Sequence, residues 1–118
     1  MEIIVKLDKE QTDDYVRLEQ TDDKLQKIKD AGIVGVGGAG FPTGIKLSAQ
    51  IPGGYVIANA AECEPILGHN VKFMEENPET LVRGLKYILE LTGAKEGYIA
   101  IKTKYRKALL ALGKAWKD

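Results

Sequence analysis

The segment Gly32-Ile33-Val34-Gly35-Val36-Gly37-Gly38-Ala39-Gly40-Phe41-Pro42-Thr43-Gly44 holds six glycines in thirteen positions. Each glycine costs backbone entropy when it is fixed, so this density needs a reason in positive φ angles or close backbone approach. Gly35, Gly37 and Gly40 match the GxGxxG pattern, with Gly38 between them. A dinucleotide fingerprint also requires a strand before the glycines, a long helix after them and an acid ending the next strand. Here Ile33–Val34 could end a strand and Glu62 lies at a suitable distance, but Pro42 and Gly44 break the start of the following helix and Pro52 ends it early. The residues before the loop also look helical, so a standard Rossmann site is disfavoured. A glycine loop feeding a short helix can still hold an anion, because bare backbone N–H groups converge on phosphate oxygens. Lys46, one turn into that helix, would add a full charge, and Phe41 could stack on a planar ring. The plainer alternatives are a tight turn without ligand and a core aromatic.

A second cluster is Asn59-Ala60-Ala61-Glu62-Cys63-Glu64-Pro65, where a strand should end. Ligands of α/β sheets gather beyond the carboxyl ends of strands. In extended geometry Glu62 and Glu64 share a face. Neighbouring carboxylates can act as acid and base, bind a metal or accept hydrogen bonds from hydroxyls. Nothing else in the sequence completes a metal shell, so no metal site is expected. On spacing alone a pair of exposed loop glutamates is the better explanation of the pattern. Cys63 lacks a base partner and lies between two acids that would suppress its thiolate; it reads as a small packed residue. His69, the only histidine, fits a surface or helix-start position better than catalysis. No catalytic side chain is expected.

The elements that would position these residues follow from periodicity and capping. MEIIVKL at 1–7 reads as a strand, followed by a polar arm to residue 20. Thr21 can cap a helix through residue 30, with Leu25 and Ile28 as its apolar stripe and Gly32 at its exit. Residues 43–50 suit a short helix, and 55–60 (YVIANA) a short buried strand. A helix is expected over 70–77. Asn77 and Pro78 open another, in which Leu81, Val82, Leu85, Ile88 and Leu89 recur at helical spacing up to Gly93. A strand at 98–102 and a helix at 104–116, with Leu109, Leu112 and Trp116 on one side, complete the alternation. The expected fold is α/β, a small parallel or mixed sheet flanked by helices. The division is an N-terminal strand and arm (1–20) and one α/β domain (21–118).

Composition narrows the function classes. The 118 residues are 44% hydrophobic and 29% charged, as in a globular domain, and suit a single core. Seventeen basic residues balance seventeen acidic ones, which removes the electrostatic case for a nucleic-acid partner. One cysteine cannot form an internal disulfide and is too few for a zinc or iron–sulfur site. No apolar stretch is long enough for a membrane span, and the polar start is no signal peptide, so a cytoplasmic protein without direct membrane insertion is expected. Residues 102–118 carry six bases and one acid. Such a basic end could touch an acidic partner or a phosphate, but it usually marks a solvated helix face.

The blocks GIVGVGGAGFPTGIKL, NAAECEP and ENPETLVRGLKYIL, in that order and spacing, resemble the flavin-binding region of an NADH-oxidising family. Its members include the large flavoprotein subunit of respiratory complex I, the C subunit of the Rnf electron-transport complex and the electron-transfer protein associated with proline reductase. The resemblance covers roughly residues 21–105 and implies a Rossmann-like FMN-binding fold, incomplete in this stretch. It implies a noncovalent FMN that accepts hydride from NADH and passes electrons singly to iron–sulfur clusters. By the same resemblance, the backbone of Gly35, Gly37, Gly38 and Gly40 lines the FMN and nucleotide site, and Lys46 meets the flavin or its phosphate side. Asn59 and Glu62 contact the flavin's polar edges. Phe41 stacks on NADH, and Glu64 bonds its hydroxyls or amide.

Ala61 stands where the complex I type has an acid, which places the sequence nearer the Rnf and proline-reductase branch. Asn70-Val71 replaces the family's Asp-Arg pair, whose role is therefore lost. Family members are several times longer, so the remaining flavin contacts and all cluster cysteines are expected beyond residue 118. Other subunits of an electron-transfer complex are the implied partners, and any membrane association would come through them. Two other readings stay open: a ligand-free scaffold or assembly fragment of such a subunit, and an autonomous nucleotide- or phosphate-binding domain.

Overall fold

The structure is a computed structural model that describes residues 17–63 and 68–117. The expected strand at 1–7 and Glu64 lie outside the described residues. Within them the order is α1 (Lys24–Asp30), α2 (Thr43–Leu47), β1 (Tyr55–Asn59), α3 (His69–Glu76), α4 (Pro78–Thr92), β2 (Glu96–Ala100) and α5 (Arg106–Lys117). β1 and β2 pair in parallel from Tyr55 opposite Glu96 to Asn59 opposite Ala100. Parallel neighbours cannot be joined by a tight turn, and α3 and α4 supply the crossover. The small α/β architecture with a parallel sheet flanked by helices agrees with the sequence expectation.

The core lies between one face of the sheet and α3, α4 and α5. Met74, Val82, Ala108, Leu112 and Ala115 form it, with Ile99, Ile101 and Tyr105 packed against them. The helical spacing in α4 buries Val82 and Leu85 at 2% exposure each. A side chain at Gly97 would stand 3.0 Å from Leu89 and 3.3 Å from Leu85, so its absence lets α4 lie close over β2. α4 ends at Gly93, whose φ of +66° is the left-handed cap. Its last carbonyls are used: Leu91 accepts from the Gln50 side chain at 2.9 Å and Thr92 from the Ile51 N–H at 2.8 Å. These bonds anchor the segment leading from α2 into β1.

Several expectations change. Asp23, not Thr21, caps α1, because its carboxylate accepts from the Gln26 N–H at 3.0 Å while Thr21 accepts from the Asp23 N–H. The second strand runs from residue 96 to 100 rather than 98 to 102, since Glu96 and Gly97 already pair with β1. α2 stops at Leu47, and α5 begins at Arg106 rather than residue 104. On α5 the buried residues are Ala108, Leu112 and Ala115, whereas Leu109 and Trp116 are 42% and 44% exposed. β1 is not buried on both faces: Ile57 is 65% exposed, and Tyr55 stands with Tyr98 on the face away from the helices.

Two outcomes test this packing. Leu112→Ala should cost about 2–5 kcal/mol in urea unfolding, because it empties the centre of the core. On the open face, the Tyr98 O–H donates to the Glu96 carboxylate at 2.5 Å, and that bond and the adjacent negative charge raise the Tyr98 pKa. In an absorbance titration Tyr98 should ionise above the ordinary tyrosine value of about 10, and Glu96→Gln should lower it again.

Candidate functional site

The glycine loop is closed at its base by backbone bonds. Val34 bridges Pro42, the Gly35 N–H donates to Phe41 at 2.8 Å, and the Thr43 N–H donates to Ile33 at 2.9 Å. The chain before the glycines is therefore α1 and a single bridge, not the strand a dinucleotide fingerprint needs. Gly38 and Gly40 have φ of +99° and +60°, which L side chains rarely adopt. A Cβ at Gly37, Gly38 or Gly40 would meet nothing within 4 Å, so the loop's outer surface is open. Val36–Ala39 form a turn, and among the described residues no N–H from Val36 to Gly40 makes a well-formed hydrogen bond within the chain.

The loop leads through Pro42 into α2, which packs on α1 and α4. Gly44 does not break this helix. It is buried within it, and any side chain there would collide with Lys29 of α1. By local pattern Gly44 reads only as a breaker; its packing role depends on a neighbour fifteen positions earlier. Lys46 and Phe41 are brought together, with the ammonium 6.0 Å from the ring centroid. A row of open amide donors, one cation and one half-exposed aromatic ring suits a planar ligand rich in acceptors and carrying negative charge.

The acidic corner lies at the carboxyl end of β1. Asn59, the last strand residue, accepts from the Ala61 N–H through Oδ1 at 3.1 Å, turning the chain out of the sheet. Glu62 follows, half-buried, and is met by side chains from α3 and from the segment after β2. Its Oε2 accepts from Asn70 Nδ2 at 2.7 Å, and its Oε1 accepts from the Cys63 N–H at 3.0 Å. Its backbone carbonyl accepts from Lys102 Nζ at 2.7 Å and from the Tyr105 hydroxyl at 3.5 Å. Asn59, Ala61, Glu62, Asn70, Phe73 and Met74 are among the residues lining a cavity of about 340 Å³ here.

Cys63 is exposed, which corrects the packed role expected for it, because it follows the turn at the end of β1 and lines the open cavity there rather than the core. His69 is the first residue of α3. Lys102 and Tyr105 carry no local signal, since they reach Glu62 across 40 and 43 positions. Asn70 is legible in the sequence only as a departure from a family pattern, yet it holds Glu62. No residue of the glycine loop lines the cavity at the acidic corner, so the expected site residues form two separate clusters. Among the described residues no group of three or more His, Cys, Asp or Glu could hold a metal ion. Nor, among them, is any helix long and apolar enough to cross a membrane.

Residues 28–118 match the Nuo51 FMN-binding domain family. The chain is 47% identical over 91 residues to cobalamin reductase PduS of Salmonella typhimurium, covering 77% of this chain and 20% of that protein. It is 40% identical over 107 residues to the C subunit of the Na(+)-translocating ferredoxin:NAD(+) oxidoreductase complex of Acetobacterium woodii, covering 86% and 24%. The C subunit of the ion-translocating oxidoreductase complex of Serratia proteamaculans is 38% identical over 89 residues, covering 75% and 13%. The chain thus spans about a fifth of the length of the first two. The resemblance to the Rnf C subunit agrees with these matches; a cobalamin reductase was not among the expected relatives.

The loop conformation has a direct test. Gly40→Ala should lower stability by about 1–2 kcal/mol through its positive φ. Gly37→Ala, with open space and no such angle, should leave the urea midpoint unchanged. Equal effects at both positions would contradict the loop geometry.

Proposed function

This chain belongs to the Nuo51 FMN-binding domain family, and from that membership we propose that it is the flavin-receiving part of an NADH-oxidising electron-transfer subunit. The observation that carries this reading is the row of open N–H groups at Val36–Gly40 beside Phe41 and Lys46. FMN has a phosphate and carbonyl acceptors, whose counterparts here are the open N–H groups and the Lys46 ammonium. Bound there, it would supply the conversion of a two-electron hydride donor into single-electron steps. The backbone around Gly37, Gly38 and Gly40 donates to the flavin phosphate and the nucleotide, Gly35 lines the site with its own N–H held by the Phe41 carbonyl, and Lys46 neutralises the phosphate side. Phe41 offers its exposed face to the nicotinamide nucleotide.

At the acidic corner, Asn59 presents its side-chain nitrogen and Glu62 its carboxylate to the polar edges of the flavin. Glu64 accepts from hydroxyls or the amide of NADH. These residues bind, orient and exclude water; no protein nucleophile or metal is required. The names of the relatives support an oxidoreductase acting with NAD and within an assembly of several subunits. Iron–sulfur clusters outside these residues, and the other subunits of such an assembly, would take the electrons onward.

The test is a titration of the purified protein with FMN, followed by quenching of flavin fluorescence. Saturable binding is expected. Lys46→Ala should weaken it by about 1.5–3 kcal/mol, the range for a charged hydrogen bond, and Gly38→Val should abolish it by blocking backbone approach. Subsequent NADH should bleach the bound flavin. A folded protein that leaves flavin fluorescence unchanged would favour the scaffold reading instead. A colourless nucleotide bound in place of FMN would point to the autonomous nucleotide-binding domain.

A further inference from the structure

We propose that Asn70 and Lys102 are positioning residues that fix Glu62 toward the cavity at the end of β1, a role that rests on the flavin-site reading above. Glu62 follows a strand end, and ordering a glutamate costs substantial rotamer entropy. Asn70 reaches from the first turn of α3 and donates to Oε2 at 2.7 Å, while the Cys63 N–H donates to Oε1 at 3.0 Å. Two donors on two oxygens set the plane of the carboxylate, and both Glu62 and Asn70 line the cavity.

Lys102 acts on the backbone instead. It lies just beyond β2, and its ammonium crosses to the Glu62 carbonyl at 2.7 Å. A hydrogen bond from a charged donor is stronger than a neutral one, and this one ties the exits of the two strands together. Asn70 thus orients the side chain, and Lys102 holds the main chain beneath it. Both act on a ligand through Glu62.

Two readouts test the assignment, one independent of flavin. In amide hydrogen exchange, Asn70→Leu should speed exchange at the Cys63 N–H by about tenfold while the α4 amides keep their protection. Lys102→Met should speed exchange at Ala61 and Cys63, and Lys102→Arg should restore it. In FMN titrations, Asn70→Leu should raise Kd by about tenfold, as expected for a lost bond to a charged group. In a Glu62→Ala background the same change should alter Kd by less than about twofold, because its target is gone. Unchanged Cys63 exchange in Asn70→Leu, or effects of Asn70→Leu and Glu62→Ala that multiply, would overturn the proposal. If the wild-type protein bound no FMN, the functional reading would fail, while the exchange rates would still decide whether Asn70 and Lys102 position Glu62.

Discussion

The parallel pairing of β1 with β2 is the constraint on which the acidic corner depends. Five residue pairs from Tyr55–Glu96 to Asn59–Ala100 put both carboxyl ends at the same edge. The crossover through α3 and α4 must then return over one face, which buries Val82, Leu85 and Met74 against the sheet. Had the strands run antiparallel, Lys102 would leave β2 at the opposite end from Glu62. The ion–carbonyl contact, the Asn70 bond and the cavity between them all follow from that single direction.

The glycine loop is held in a different way. It buries almost nothing, and its glycines carry the entropic cost of positive φ at Gly38 and Gly40 without packing in return. What fixes it is its base: the Val34–Pro42 bridge, the Gly35–Phe41 bond and the seat of Gly44 against Lys29. A loop tied at both ends and left open along its amides fits the flavin-receiving role proposed above.

The two clusters are anchored on different elements. The loop and α2 rest on α1 and on the carboxyl end of α4, where Lys24 also pairs with Glu90 at 2.7 Å and lies over Tyr87. The acidic corner rests on α3 and the approach to α5. α4 spans between them, with its tight contact at Gly97 midway. Its burial therefore governs both anchorages, whereas Tyr55, Ile57 and Tyr98 on the open sheet face contribute less to the core.

Much was legible from the sequence alone. Helical spacing placed α4 from Pro78 to Gly93, because caps and an apolar stripe are local properties. The alternation of strands and helices indicated an α/β fold with a parallel or mixed sheet, and the ordered glycine and AECEP blocks pointed to a flavoprotein family. Local pattern misjudged β1 because an apolar run such as YVIANA cannot say whether both faces will be covered. It misjudged Cys63 because the turn at Asn59 depends on a side-chain bond. Only the tertiary structure decided that Gly44 is a packing residue and that Asn70 and Lys102 converge on Glu62. Those contacts join residues up to 40 positions apart, and no spacing rule reaches across a crossover whose direction is set by the core.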